Sequence, residues 1–247
     1  MARLLLTLRY DGTAYHGWQV QPNGRTVQET LQDAVQAVTG VRAGITGCSR
    51  TDAGVHADMF CCTLDTESSL RGNKLLSALN FHLPADIAVY RVQEVADTFH
   101  PRYAAKGKRY IYRIWNGAQR HPVYSRYAVH RNRPLDVQQL NEAAQAYVGT
   151  HDFAAFCAAG SDVVDTVRTV HRCTVERQGD LVLFTVEGDG FLYNMVRIMV
   201  GTLLEIADGR LSADGIPAVL DSRDRNHAGP TAPAKGLCLQ QVFYDTL

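Results

Sequence analysis

The sequence has no excess of charge of either sign, because 25 basic side chains balance 25 acidic ones. Net charge alone therefore identifies no class of partner. The chain also has no apolar run long enough to cross a membrane, and its N-terminus lacks the length and the cleavage site of a signal peptide. From these absences we expect a cytoplasmic protein that is not attached to a membrane.

Several motifs that identify common enzyme classes are missing. None of the six cysteines forms a C-x-x-C pair, and neither they nor the nine scattered histidines have the spacing of a zinc site. The chain has no phosphate-binding P-loop, no dinucleotide fingerprint, no H-E-x-x-H and no G-x-S-x-G. We expect reduced thiols, no bound metal, and none of the chemistry that these motifs support.

The chain of 247 residues has room for one large domain or two small ones. In the first half, periodicity and caps predict strands at 3–10, 41–46, 59–64 and 87–95 and helices at 27–38 and 70–79. The same β-α-β-β-α-β order recurs with strands at 108–115, 167–176, 181–187 and 237–244 and helices at 136–147 and 191–207. We predict an α+β protein of two ferredoxin-like or RRM-like halves, 1–101 and 102–247, whose antiparallel or mixed sheets flank a cleft.

Residues 47–57 concentrate reactive side chains between two predicted strands. Arg50, Asp52 and His56 lie within seven positions, and the whole segment 47–57 contains two glycines. Glycine is unfavourable inside strands and helices, so the segment is predicted to be a loop. A charged loop on a rigid sheet is a common setting for catalysis. Composition alone favours the alternative, a turn in which Asp52 only caps backbone amides.

A second unusual segment contains no acidic residue between Asp97 and Asp136. It holds nine basic residues and three histidines, interleaved with aromatic residues. Basic groups neutralise phosphates and aromatic rings stack on bases, so this mixture favours nucleic-acid binding. The alternative is a pair of solvated strands whose charges only maintain solubility.

The predicted helix at 191–207 has one conspicuous charge. From Phe191 to Leu204 the only charged residue is Arg197. A guanidinium on an apolar helix needs either a carboxylate partner, for which Asp52 is a natural candidate, or a route to water. Both interpretations, the buried ion pair and the arginine that reaches the surface, are open at this point.

The chain also resembles a known family, the tRNA pseudouridine synthase A family. The most specific match is RTDAGVHA at residues 50–57, and the opening YDGTAYHGWQ at 10–19 also matches. Other matching segments are FHPR at 99–102, KRYIY at 108–112, HDF at 151–153 with Phe156, FLYNMVR at 191–197 and AKGL at 234–237. These segments are distributed over nearly the whole chain.

The resemblance implies the pseudouridine synthase fold, with two subdomains around a central catalytic cleft. It implies isomerisation of uridine to pseudouridine at positions 38, 39 and 40 in the anticodon stem-loop of tRNA. It also implies a homodimer that needs no cofactor. The first half would carry the catalytic aspartate, and the second half would carry a basic segment that contacts RNA.

The resemblance also implies roles for individual residues. Asp52 would be the nucleophile, and Arg197 would form the ion pair that keeps it charged. Tyr110 would stack on the target uracil and is a candidate proton acceptor, while Leu237 would cover the base from its apolar side. Arg50 would help to hold the nucleotide out of the stem. Further substrate contacts are expected at His56, Arg102 and Lys108.

Elementary chemistry agrees with a carboxylate in this role. The glycosidic bond breaks with oxocarbenium character, so a carboxylate near the sugar stabilises positive charge or attacks C1′. Attack on C1′ and proton abstraction at C2′ are both compatible with Asp52. Two rival functions remain, a non-catalytic RNA-binding protein of two RRM-like units and an aspartate-dependent nucleoside or glycoside hydrolase. The hydrolase would need a second carboxylic acid, and Asp58, at the start of the next strand, is predicted to be solvated.

Overall fold

The computed structural model describes residues 1–160 and 163–245, which form two compact units. The first unit comprises Met1–Lys106 and Cys238–Leu247, and the second comprises Gly107–Leu237. The chain passes from one unit to the other just after the boundary predicted at residues 101 and 102. Its last strand belongs to the first unit, whereas the sequence pattern assigned that strand to the second half.

The first unit has two helices and a sheet. Its elements are β1 (Ala2–Tyr10), α1 (Val27–Thr39), β2 (Ile45–Gly47), β3 (His56–Thr66), α2 (Gly72–His82), β4 (Ile87–Val95) and the last strand of the chain, β10 (Leu237–Phe243). The strand order is β4-β1-β3-β10, antiparallel except that β10 runs parallel to β3. β2 pairs with the C-terminal half of β3, and β10 pairs with its N-terminal end.

Local sequence signals explain the clearest helix of this unit. The Thr26 hydroxyl accepts a hydrogen bond from the Glu29 amide at 3.3 Å and caps the first turn of α1. Gly40 ends the helix in the left-handed conformation, with φ of 76°. Val27, Leu31 and Val35 form its buried face. The predicted strand at 41–46 is shorter than expected, because pairing with β3 begins only at Ile45.

The second unit contains the remaining elements. These are β5 (Gly107–Trp115), β6 (Val129–His130), α3 (Val137–Ala144), β7 (Gly149–Asp152), β8 (Val167–Gln178), β9 (Leu181–Gly188), α4 (Met195–Ala207) and α5 (Ile216–Ser222). The strands are ordered β5-β9-β8-β7 and all pair antiparallel. β6 adds a short parallel pairing at the end of β5.

Two features of this unit differ from the sequence prediction. The helix predicted from residue 191 begins at Met195, because Asn194 has a left-handed φ of 59° and cannot continue a helix from the preceding residues. In addition β6, β7 and α5 were not predicted, because two, four and seven residues are too few for a periodic pattern.

None of the described cysteines forms a disulfide. Burial raises the pKa of the Cys61 thiol to about 12, so this thiol is protonated at neutral pH. No helix within the described ranges combines the length and the apolar character that a membrane span requires.

Candidate active site

Asp52 lies on the loop that joins β2 to β3 in the first unit, as predicted, and its side chain is half-buried. Two contacts anchor Thr51, the residue before it. The Tyr10 and Thr51 hydroxyl oxygens are 2.8 Å apart, and the Trp18 amide donates to the Thr51 carbonyl at 3.1 Å. The loop closes on itself where the Val55 amide donates to the Asp52 carbonyl at 3.1 Å. The backbone around Asp52 is therefore fixed by β1 and by the segment that follows it.

Gly17 makes this close approach possible. Its φ is 84°, and a Cβ added there would lie 2.5 Å from the Thr51 carbonyl oxygen. Any other residue would combine a strained backbone with a steric clash against the Asp52 loop. Gly17 thus has a physical function, which is to let the segment after β1 pack directly against the Asp52 loop.

His56, the first residue of β3, is only 5% exposed. Its Nδ1 atom accepts a hydrogen bond from the Gly12 amide at 3.1 Å, and Asp11 Oδ1 lies 3.1 Å from the same nitrogen. One ring nitrogen cannot both accept from the amide and donate to the carboxylate. A neutral ring that accepts the amide hydrogen bond at Nδ1 carries its own proton on Nε2. His56 thus braces the end of the loop against the 11–12 turn, and the substrate contact expected from the sequence remains a prediction.

Arg50 and Arg102 are both exposed, and both line one pocket of the first unit. Asp58, the nearest other carboxylate in sequence after Asp52, is exposed on β3 as predicted. An exposed carboxylate lacks the apolar enclosure that is typical of a catalytic general acid. Asp58 is therefore a poor candidate for the partner acid that a hydrolase would need.

In the second unit, Lys108, Tyr110 and Tyr112 share one face of β5 because side chains alternate along a strand. Tyr110 is 6% exposed and contacts Phe191 edge-to-face, with ring centroids 5.2 Å apart. Tyr112 is fully buried and donates its hydroxyl to the Pro233 carbonyl at 2.8 Å. Burial raises the pKa of Tyr112, so it remains a protonated hydrogen-bond donor.

Leu237 follows a short turn that packs against the same strand. A Cβ added at Gly236 would lie 2.6 Å from the Tyr112 ring, so the turn lies directly against that ring. The side chain of Leu237 is 5% exposed. Within the second unit, the segment before Leu237 therefore packs against the face of β5 that carries Tyr110. Leu237 and Tyr110 are far apart in the sequence.

Arg197 lies in the first turn of α4 and is half-buried. Its Nε donates to the Ala232 carbonyl at 2.7 Å, and its Nη1 donates to the Asn194 side-chain oxygen at 2.7 Å. These two hydrogen bonds fix the plane of the guanidinium. They argue against the alternative in which Arg197 simply extends into bulk water. The ion pair with Asp52 remains a prediction.

The acid-free segment is less available to a partner than its sequence indicates. Arg109 pairs with Glu187 at 2.7 Å, and Lys106 pairs with Asp245 at 2.8 Å. Arg131 and Arg133 both contact Asp208, and the hydrogen bond from Arg131 lowers the pKa of that carboxyl below its ordinary value. Four of the nine basic residues are therefore neutralised by acids from other parts of the chain.

Among residues 1–160 and 163–245, no three histidine, cysteine or acidic side chains are grouped in a way that could hold a metal ion. The residues that sequence reasoning missed are mainly supports, namely Tyr10, Thr51 and Trp18. Tyr10 and Trp18 lie in the 10–19 segment and Thr51 lies in the 50–57 segment, and both segments resemble the family pattern. The contact between the two segments is a tertiary feature that the sequence does not show.

Comparison with known proteins decides the family. A family model described as tRNA pseudouridine synthase matches residues 7–104 and 143–245. The chain belongs to the tRNA pseudouridine synthase family. Its fold is accordingly the pseudouridine synthase fold, of α+β class with mixed strand pairing, as predicted.

Curated relatives named tRNA pseudouridine synthase A match this synthase over nearly its whole length. One from Acetivibrio thermocellus is 46% identical over 244 residues, covering 99% of the chain and 100% of the relative. Another from Shouchella clausii is 46% identical over 245 residues, covering 99% of the chain and 94% of the relative. The chain is therefore an isomerase that acts on tRNA, and the alternative of a non-catalytic RNA-binding protein is not favoured.

Proposed function

We propose that the protein converts uridine to pseudouridine at positions 38, 39 and 40 of the tRNA anticodon stem-loop, with Asp52 as the nucleophile. The observation that carries this proposal is the anchored loop. The half-buried Asp52 directly follows Thr51, which is hydrogen-bonded to Tyr10 and Trp18. This segment is matched by the family model. Such rigid support is what a group needs if it must meet a reacting atom in one geometry.

The reaction is an isomerisation with no net loss of atoms. The bond between ribose C1′ and uracil N1 breaks, the base turns, and a bond forms between C1′ and C5. N1 gains a proton, and C5 loses one. The Asp52 carboxylate stabilises the positive charge that develops at C1′, or attacks that carbon, while the base is detached.

Arg197 keeps the carboxylate ionised and oriented in this proposal. A guanidinium close to a carboxyl favours its charged form, and its planar fork suits two parallel hydrogen bonds. Support comes from the contacts that Arg197 already makes. Two of its nitrogens are engaged by Ala232 and Asn194, so the orientation of the remaining donors is defined before substrate binds.

The target base is proposed to bind to the second unit. Tyr110 stacks on the uracil and takes the C5 proton, and Leu237 covers the opposite face. Lys108, on the same side of β5, contributes positive charge near the phosphates. In the first unit, Arg50 holds the nucleotide out of the stem, with His56 and Arg102 as further contacts.

Incubating the purified protein with unmodified tRNA and mapping pseudouridine tests this function. We expect new pseudouridine at positions 38, 39 and 40 and no free uracil. Release of free uracil would instead identify a hydrolase. Tight tRNA binding without any new pseudouridine would identify the RNA-binding rival.

We further propose that the protein works as a homodimer in the cytoplasm, where its tRNA substrate is made. The family resemblance supports the dimer, and free cysteines, five of them buried, are typical of a reducing compartment. Light scattering during size-exclusion chromatography is expected to give twice the chain mass. A mass equal to one chain at micromolar concentration would contradict the dimer.

A further inference from the structure

A pocket of about 500 Å³ lies in the first unit beside the segment that leads into the Asp52 loop. Arg50 forms part of its wall, and other parts come from α1, from β2 and from residues 100–103. Its volume is within the range of roughly 300–1,000 Å³ that is usual for small-ligand sites. Asp52 is not among the described residues that line it, so the pocket is separate from the point where the target ribose would react.

The charge of the pocket favours an anion. Among the described residues that line it none is acidic, while Arg50 and Arg102 each contribute a guanidinium group. Both arginines are exposed, and neither has a carboxylate partner in the part of the chain that the structure describes. This contrasts with Arg109, Arg131 and other basic residues of the acid-free segment, which are already paired. Two uncompensated guanidiniums at one pocket suit a phosphate.

The aromatic lining favours a base. His100 and Tyr103 stack on each other, with ring centroids 4.3 Å apart and an angle of 30° between the planes. Tyr103 is 80% exposed, so its outer face is open to another ring. Trp18 also lines the pocket, and its stacking on Phe60 at 4.0 Å keeps it rigid. An exposed aromatic beside free arginines is how proteins hold unpaired nucleotides.

We propose that this pocket binds one nucleotide of the RNA strand other than the target uridine, with its phosphate between Arg50 and Arg102 and its base on Tyr103. This inference rests on the proposed function, because it takes the substrate to be RNA. Arg50 lies two positions before Asp52, so their Cα atoms are at most about 7 Å apart. The bound nucleotide is therefore a near neighbour of the target uridine in the same strand.

The first test measures the affinity of variants for an anticodon stem-loop RNA. Tyr103→Ala is expected to raise the dissociation constant about tenfold, since it removes one base-stacking surface. Tyr103→Phe keeps the ring and is expected to bind like the parent protein. Phe81→Ala is the matched control, because Phe81 is an exposed aromatic of the same unit, 84% exposed, and is not among the residues lining the pocket.

The second test identifies the nucleotide. Abasic substitutions are made one at a time in the stem-loop, outside the target position. One of them is expected to weaken binding to the parent protein about tenfold and to have no further effect on Tyr103→Ala. For the phosphate, Arg102→Gln is expected to reduce the slope of log affinity against log salt by about 0.7.

The results distinguish this inference from the proposed function. If the parent protein forms pseudouridine while Tyr103→Ala and Arg102→Gln bind RNA as tightly as the parent, the pocket inference is wrong and the function stands. If no pseudouridine forms but the abasic effect still depends on Tyr103, the pocket binds RNA and the proposed reaction is wrong. Equal weakening by Phe81→Ala and Tyr103→Ala would also overturn the inference.

Discussion

The two units support their candidate catalytic residues in different ways. In the first unit Asp52 lies on a loop, which is fixed by backbone contacts and by the Thr51 and Tyr10 hydroxyls. In the second unit Arg197 lies on a helix, and the guanidinium itself makes the fixing bonds. A short carboxylate must be positioned by its backbone, whereas a long arginine side chain must be positioned at its far end.

Each unit also uses a glycine for close packing. In the first unit Gly17 lets the segment after β1 approach the Thr51 carbonyl. In the second, Gly201 of α4 lies where an added Cβ would overlap the Pro230 carbonyl oxygen. That contact holds the segment around Pro230 close to α4, and the Ala232 carbonyl of the same segment accepts the hydrogen bond from Arg197. The comparison indicates that both candidate residues depend on tight backbone packing behind them.

The largest expected effect is on the loop side of the comparison. Asp52→Asn keeps the shape of the side chain but removes its charge, so tritium release from tRNA labelled at uridine C5 should fall by on the order of 10³-fold or more. Affinity for tRNA should change little. Asp58→Asn is the control, because Asp58 is an exposed aspartate of the adjoining strand. Comparable turnover by the Asp52 and Asp58 variants would contradict the nucleophile assignment.

A smaller loss of activity is expected on the helix side. Arg197→Met removes the charge and two hydrogen bonds, so we expect about 100-fold less tritium release and a lower free energy of unfolding, by about 1–3 kcal/mol. Arg197→Lys should restore part of the stability but little activity, because an ammonium lacks the planar fork. Arg172→Met, at an exposed arginine on β8, serves as the control. An active Arg197→Met enzyme would remove the ion pair from the mechanism.

The third prediction concerns the glycine behind the loop. Gly17→Ala should destabilise the protein by about 1–3 kcal/mol through backbone strain and should lower activity by displacing Thr51. Gly40→Ala has a similar φ of 76°, but an added Cβ there meets nothing within 4 Å. Chemical denaturation measures both. If Gly17→Ala and Gly40→Ala lose the same free energy of unfolding and Gly17→Ala keeps full activity, the Asp52 loop tolerates the added Cβ and this prediction is wrong.

The smallest expected effect concerns the ion pairs of the second unit. The lowered pKa of Asp208 contributes stability above its unfolded pKa of about 3.9, and this contribution is lost as the pH falls through the folded pKa. Asp208→Asn should therefore cost on the order of 1 kcal/mol at pH 7, and the difference from the parent should disappear in acid. Asp221→Asn, at an exposed aspartate, is the control. A difference that is independent of pH would exclude the ion-pair explanation.

Much of the fold could be predicted, because periodicity and caps act locally. β4 has the predicted bounds, and α1 has the predicted cap at Thr26 and stop at Gly40. The start of α4 was predicted too early, since the apolar pattern continues through Leu192 while Asn194 interrupts the helix. For the candidate site, the sequence indicated the Asp52 loop and the β5 face but not the pocket near Tyr103.

By itself, the sequence determined the periodic elements, the family and the residues that could carry chemistry, since each depends on neighbouring positions in the chain. Only the tertiary structure decided which charges are paired. Arg131 and Asp208 are 77 positions apart, and no local pattern connects them. The same holds for the pocket, where Arg50 and Arg102 come from separate segments. Burial and pairing depend on long-range contacts, so a composition that predicts a basic surface does not tell which basic groups remain available to RNA.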